Sequence, residues 1–385
     1  MMNDQKSRIF WTLAAAHLIN DSYVFVLPAL LPLLIPSLEI SLTAAGLAVG
    51  LYQVTSSITQ PVLGHLADRY PLRWMAWLGL AATAVGAAGI GIAPSYWALL
   101  LFLIVGALGT SAFHPVATAT ISDIAGARRG QMMSIYITAG NLGLAVGPAA
   151  MWIGLSAWGP AISLPMAVPC LLIALAVFLV VPARRVSRRR SDSFGEILVK
   201  HRGILAVLLS IATLRSWATV GLGTFLPLLL VERGQSVEDG ATALAVMLFF
   251  GGVGGLAAGF LADRFGRDTV IVASLLLSPP CGLLMLHGPG PLLWIGAALV
   301  GLTLTGSMVA LTVRGQELMP GSVAMVSGLM LGFTVGMGGL AVPPMAALAE
   351  VIGLSVVADI CALLPLPAGL IALGLRTRRA PVAAT

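Results

Sequence analysis

The sequence predicts an all-α polytopic membrane protein, with twelve transmembrane helices in two parallel six-helix repeats. Three observations carry this: scarce charge, apolar runs of helical length, and segments that recur at one fixed offset. Of the 385 residues, 58% are hydrophobic and only 9% charged, against roughly 45–50% and 25% in soluble domains. A chain so poor in charge cannot cover a water-facing surface, so lipid is its outer solvent. Only helices and closed barrels satisfy every backbone group in hydrocarbon. Barrel strands alternate apolar and polar positions over roughly 10 residues. Here runs such as 74–93 and 164–181 are unbroken and about 20 residues long, the length of a spanning helix.

In chain order, spans are expected at 9–36, 43–65, 73–93, 96–122, 131–156, 160–182, 204–231, 240–262, 269–288, 291–313, 322–348 and 354–375. The first follows a basic start (Lys6, Arg8) and runs to Pro36, too long for a cleaved signal. Between the sixth and seventh lies the one long polar connection, 183–203, with Arg184, Arg185, Arg188, Arg189 and Arg190 inside it. It reads as a linker between an N-terminal bundle, 1–182, and a C-terminal bundle, 204–385. Its stretch 194–201 is suited to a short interfacial helix.

The basic residues orient the chain. Lys6, Arg8, Arg69, Arg73, Arg128, Arg129, the five linker arginines, Lys200, Arg202, Arg264, Arg267, Arg314, Arg376, Arg378 and Arg379 fall on one side. Only Arg233 falls on the other, and Arg215 lies within a span. Both termini and the linker are therefore expected to be cytoplasmic. The net charge of +6 comes from these connections and forms no basic domain, so no nucleic-acid partner is expected. Neither lysine sits in a glycine-rich phosphate loop, which excludes an ATPase motor in this chain. Cys170, Cys281 and Cys361 fall inside spans without metal-ligand spacing and read as small buried hydrophobes.

Gly64-His-Leu-Ala-Asp-Arg69 recurs as Gly259-Phe-Leu-Ala-Asp-Arg264, 195 residues on. The same offset takes Pro32 to Pro227, Gly106 to Gly301, Gly143 to Gly338 and Pro148 to Pro343. One offset from first span to fifth means parallel duplicates, the major facilitator architecture, with the substrate site between the halves.

The duplicated segment resembles the motif A loop of the major facilitator superfamily. Its physics is a charge latch. Asp68 can accept from a helix N-terminus, while Arg69 and Arg73 can pair with Asp123. Asp263 and Arg264 are the counterparts in the second half. The plainer reading is a pair of solvated turns with a surface ion pair worth about 0–1 kcal/mol.

Ionisable residues inside spans each cost roughly 2.5–3.5 kcal/mol at mid-helix. His17 and Asp21 lie four apart on one face of the first span, with Asn20 beside them. The repeat offset makes Arg215 the counterpart of Asn20, so an Asp21–Arg215 pair across a central cavity is the natural expectation. Desolvation opposes a charged carboxylate and a guanidinium supports it. Moving the halves, or placing an anion against Arg215, then loads or releases a proton. A structural pair, or a bond to a backbone carbonyl, is the alternative. In Phe113-His114-Pro115, Pro115 frees a backbone carbonyl and His114 is suited to titrate near neutral pH. A core histidine satisfied by that carbonyl is its rival. His17, Asp21 and His114 can be pictured as a metal site, but carboxylate-poor surroundings and proton handling explain them more simply. No metal or cofactor is expected. His287, beside Gly288-Pro289, reads as solvated. Gly140-Asn-Leu-Gly143-Leu-Ala-Val-Gly147-Pro148 has the spacing of close helix packing and resembles motif C of the superfamily's antiporters. Asn141 is a candidate cavity residue.

Several segments resemble the fosmidomycin resistance family. They are His17-Leu-Ile-Asn20-Asp21, Gln60-Pro61, Tyr70-Pro71 with Trp74, Phe113-His114-Pro115 and Gly140-Asn141-Leu142-Gly143 with Gly147-Pro148. Near the end come Gln316-Glu317-Leu318-Met319-Pro320-Gly321, Met325-Val326-Ser327-Gly328, Gly336-Met337-Gly338-Gly339-Leu340 and Ile360-Cys361-Ala362. The resemblance implies a bacterial inner-membrane exporter of drugs or metabolites, driven by protons, acting as a monomer on small molecules such as an anionic phosphonate. The family pattern continues His-Pro-Glu, where this chain has Val116, which leaves proton handling to Asp21 or marks a different substrate. An importer or facilitator of an organic anion is the second reading. A membrane sensor or enzyme is the third, and no nucleophile–base spacing or appended soluble domain favours it.

Overall fold

The structure is a computed structural model that describes residues 4–70, 74–125, 128–182, 194–319, 326 and 329–375. Among these, all regular structure is helical. The N-terminal helices are α1 (Asp4–Asp21), α2 (Val26–Ser37), α3 (Leu42–Arg69), α4 (Trp74–Ile90), α5 (Tyr96–Ala125), α6 (Arg129–Trp158) and α7 (Ser163–Val180). The later ones are α8 (Phe194–Glu232), α9 (Val237–Phe265), α10 (Arg267–His287), α11 (Pro291–Leu318), α12 (Thr334–Ile352), α13 (Leu354–Leu363) and α14 (Pro365–Leu373). Nine apolar helical stretches among the described residues are long enough to cross a membrane, and one of them, Gln131–Val180, contains both α6 and α7. With α3 and the shorter α4, every expected span has its helix.

Three spans are not the single rods expected. The first breaks at residues 22–25, where Val24 N bonds Asp21 O and Val26 N bonds Tyr23 O. Pro28 lacks an N–H and its ring crowds the carbonyl four residues back, so the chain tightens just after Asp21. The last span is split between α13 and α14 at Leu364, ahead of Pro365. In the eleventh a π turn, Leu329–Phe333, precedes α12. The stretch expected as a short helix at 194–201 is the start of α8, which kinks at His201 (φ −112°, ψ 15°). Gly266, at φ 85°, is the single residue between α9 and α10. A side chain would be strained there.

By contact the chain divides into two compact units, Met1–Arg188 with Gly223–Ala245, and Arg189–Leu222 with Val246–Thr385. In the first, α4 packs on α5 and α7, α3 on α5, and α1 on α6 and α7. In the second, α10 packs on α11, α13 and α14, around a core that includes Leu208, Ile211, Ile271, Leu275 and Leu311. Trp97, Ile153, Phe260 and Val351 are 72–81% exposed. Such side chains have lipid, not water, as their natural neighbour.

Candidate functional site

The described polar cluster of the first unit is built where α1 ends. Asp21 is the last residue of α1. A helix C-terminus carries partial negative charge, so it opposes a bare carboxylate and favours a positive partner. Two imidazoles lie against it, each a positive partner only when protonated. His17 Nε2 lies 3.1 Å from Asp21 Oδ2, one turn back on α1. His114 Nε2, from α5, lies 3.4 Å from Asp21 Oδ1. Asn20 Nδ2 donates to Asp21 Oδ1 at 3.0 Å and sits 3.4 Å from His114 Nε2.

An outer layer fixes these groups. His17 Nδ1 lies 2.7 Å from the carbonyl oxygen of Tyr136, and the Tyr136 ring stacks on the imidazole at 4.0 Å. A carbonyl only accepts, so Nδ1 carries the hydrogen. Asn20 is fully buried, and its Oδ1 accepts from Thr83 Oγ1 (3.2 Å, α4) and Thr110 Oγ1 (3.3 Å, α5). The amide is thereby turned so that its NH2 faces the carboxylate. His114 points its Nε2 at α1 and not at a carbonyl of its own helix. The next position after its proline, Val116, is buried.

The glycines of α6 make the room. A Cβ on Gly140 would overlap the His17 ring and come within 2.8 Å of Asp21 Oδ2. One on Gly143 would strike the Leu18 carbonyl, and one on Gly147 the Ser22 carbonyl. The expected packing motif thus lays α6 against the backbone of α1. Asn141 is partly buried on the same helix, and no hydrogen bond joins it to the cluster among the described residues. A small cleft lies beside the α1–α2 break, lined by Tyr23, Leu27, Pro28, Tyr52 and Gln53 among others.

In the second unit Arg215, on α8, is 6% exposed. It donates through Nη1 to the Leu304 carbonyl of α11 at 3.0 Å. Its Nε has no hydrogen-bond partner among the described residues. The charged groups near the α9–α10 junction form a chain. Arg267 Nε pairs with Glu317 (2.6 Å), and Arg267 Nη1 reaches Asp263 (3.3 Å). Arg314 pairs with Asp268 through Nε (2.7 Å) and Nη2 (3.0 Å). Arg264 lies over the Phe265 ring at 5.3 Å.

Sequence reasoning singled out His17, Asn20, Asp21 and His114, and the structure brings all four together. It did not single out Tyr136, Thr83 or Thr110, nor give Gly140 a place in the site. In the second unit it named Asp263 and Arg264; Asp263 does reach Arg267, while the shorter pairs join Arg267 to Glu317 and Arg314 to Asp268. The Asp68 and Arg69 side chains and Arg73 lie outside the described residues, as does the 183–193 part of the linker with its five arginines. Asp123, on α5, is exposed. His287 is exposed, as the solvated reading expects, and its Nε2 also lies 2.7 Å from Asp359 Oδ1 on α13. The cysteine reading holds for Cys170 and Cys361, both buried, whereas Cys281 is only partly so.

A helical membrane protein with an acid–histidine cluster inside its first span has the form of a secondary transporter, and comparison gives the class. The model of the Major Facilitator Superfamily matches residues 13–343, and the chain belongs to that superfamily. Its members are transporters of small molecules and not enzymes. The chain is 28% identical to the fosmidomycin resistance protein of Escherichia coli (strain K12) over 369 residues, covering 93% of this chain and 90% of that protein. It is 30% identical to the MFS-type transporter YfnC of Bacillus subtilis (strain 168) over 367 residues, 91% and 88% of the two. Among solved structures, a bacterial homologue of the human lysosomal transporter Spinster, inward-facing and occupied, superimposes with TM-score 0.82 at 17% identity, covering 99% of this chain and all of that one. A point mutant of the nucleoside transporter NupG does so with TM-score 0.80 at 13% identity, covering 97% of this chain and all of that one. These two likenesses bear on the fold.

Proposed function

We propose that this chain is a proton-coupled antiporter that exports small organic molecules, anions of the fosmidomycin kind among them, by alternating access. The observation that carries this reading is the contact between His17 and Asp21. His17 Nδ1 is committed to the Tyr136 carbonyl, so the 3.1 Å contact of Nε2 with Asp21 needs a further proton between two acceptors. His114 Nε2 faces a donor, Asn20 Nδ2, and an acceptor, Asp21 Oδ1, and is accommodated with or without a proton. The cluster therefore suits a cycle in which one proton enters and leaves.

In this reading His17, Asn20, Asp21 and His114 handle the proton. Arg215, whose Nε has no hydrogen-bond partner among the described residues, meets the anion, and Asn141 lines the substrate path. Asp68, Arg69, Arg73 and Asp123, with Asp263 and Arg264, latch the cytoplasmic side. The halves 1–182 and 204–385, joined by 183–203, rock about the site. The chain works as a monomer in the bacterial inner membrane with both termini in the cytoplasm. Similarity to a fosmidomycin resistance protein supports export. An importer or facilitator of an organic anion is the second reading, favoured by the Arg215 Nε, which has no hydrogen-bond partner among the described residues.

The test uses purified protein in liposomes with an internal pH dye and a chelator on both sides, adding fosmidomycin and a panel of small organic anions. Proton movement on adding a compound, lost in folded Asp21→Asn, is expected. Compound flux with no proton movement, unchanged in Asp21→Asn, would establish the facilitator instead. Arg215→Gln is expected to abolish response to anions while sparing any neutral compound that is carried.

A further inference from the structure

The same three side chains have a second capacity, which goes beyond transport and requires no proton movement. We propose that His17 Nε2, His114 Nε2 and the Asp21 carboxylate form a binding site for one divalent transition-metal ion of the zinc kind. Each residue offers one ligand atom, and these atoms all lie within 4.8 Å of one another. The distance from each imidazole to the carboxylate is close to that of a coordination shell. Ligand atoms about 2.0–2.1 Å from zinc at tetrahedral angles stand roughly 3.3 Å apart. His17 Nε2 lies 3.1 Å from Asp21 Oδ2 and His114 Nε2 3.4 Å from Oδ1, the two oxygens of one carboxylate, so binding draws the two imidazoles from within 4.8 Å onto a common ion.

The surroundings do what an outer shell does in metal sites. A metal-binding histidine almost always gives its other ring hydrogen to a carbonyl or carboxylate, which fixes the tautomer and aims the free nitrogen. His17 does so through the Tyr136 carbonyl. The carboxylate is held by Asn20 Nδ2, and Asn20 is itself held by Thr83 and Thr110. Two imidazole nitrogens and one carboxylate suit zinc, cobalt or nickel and not magnesium or calcium, which take oxygen ligands. Three protein ligands leave a fourth position open to water or to a donor atom on a bound molecule. The His114 side chain is 19% exposed, which gives an ion a way in. From the sequence these three can be pictured as a metal site but proton handling is preferred, and since His114 lies 94 residues beyond Asn20, on another helix, spacing alone does not bring it to Asp21.

Full-length protein in detergent, freed of any histidine tag and stripped with chelator, is titrated with CoCl2 alone. One equivalent of Co2+ is expected to produce the visible d–d bands of a four-coordinate ion, bleached by one equivalent of Zn2+. His17→Gln and His114→Gln are each expected to weaken binding by at least about tenfold, since even outer-shell partners are worth 10–100-fold. His287→Gln, at the far end of α10, leaves the bands unchanged. Absence of the bands, or bands that persist in both His17→Gln and His114→Gln, overturns the proposal. Should His17→Gln fail to fold, His114→Gln decides, because among the described residues that imidazole meets only Asn20 and Asp21 through Nε2. The liposome assay contains chelator and the cobalt titration involves no transport, so either reading can fail while the other stands.

Discussion

The imidazole of His17 is gripped twice by one residue, Tyr136: its Nδ1 lies 2.7 Å from the Tyr136 carbonyl and the two rings stack at 4.0 Å. The hydrogen bond fixes which nitrogen carries hydrogen, and the stacking fixes the ring plane. Nε2 is thereby aimed at Asp21 before any proton or ligand arrives. Because the bond uses main-chain oxygen, no substitution at position 136 removes the acceptor.

Gly140 is expected to tolerate no side chain. Gly140→Ala places a Cβ against the His17 ring and the Asp21 carboxylate, so the cluster must shift, at a cost of roughly 1–3 kcal/mol. Gly143→Ala and Gly147→Ala meet main-chain carbonyls of α1, which yield less than a side chain does. Thermal unfolding in detergent should rank Gly140→Ala as the mildest of the three, while liposome proton movement should be damaged in all.

Thr83 and Thr110 act as duplicates on the buried Asn20 oxygen. Thr83→Val alone should cost about 1 kcal/mol or less, and Thr110→Val likewise, because one donor remains. The double variant leaves a buried acceptor unmet, worth roughly 1–3 kcal/mol. A double-mutant cycle on unfolding free energy should therefore give more than the sum of the singles. Simple additivity would show that Asn20 turns to another donor.

The Arg314–Asp268 pair joins α11 to α10 through two nitrogens, with side chains 11% and 21% exposed. Removing one partner of a fully buried pair costs roughly 3–5 kcal/mol. Some exposure here sets the expectation for Arg314→Met near the lower end, about 3 kcal/mol. Arg314→Lys keeps the charge but not the fork and should recover only part of it. Unfolding of the two variants measured side by side checks the order.

His287–Asp359 is the contrasting case. Its side chains are 50% and 30% exposed, so His287→Gln and Asp359→Asn should each change stability by no more than about 1 kcal/mol. That small effect should shrink further as ionic strength rises, which a melting series in increasing NaCl will read.

Much of this architecture is legible in the sequence, because lipid imposes a length and a polarity on every span. His17, Asn20, Asp21 and His114 stand out for the same reason: a polar group inside an apolar run has to be accounted for. What hides is what looks ordinary. A backbone carbonyl, such as that of Tyr136, has no signature in sequence, and Thr83 or Thr110 inside a span reads as one more small residue. The break after Asp21 follows from Pro28, yet apolar length alone runs straight through it. Repeat symmetry pointed to Asp263 and Arg264 because they copy Asp68 and Arg69. Contact in the folded chain favours Arg267, Asp268, Arg314 and Glu317, which the repeat does not duplicate. Asp359, the partner of His287, lies 72 residues away, beyond any local pattern.

The close approach of α6 to α1 divides the burden of inheritance unevenly between them. Leu18 and Ser22 meet α6 through carbonyl groups, which every residue type possesses, so the interface asks little of the bases that encode them. Positions 140, 143 and 147 must lack a side chain altogether, and most single-base changes to a glycine codon introduce one. In a library of random variants selected for transport, α6 would therefore emerge as three narrow intolerant rungs, about one turn apart, facing a far more permissive partner.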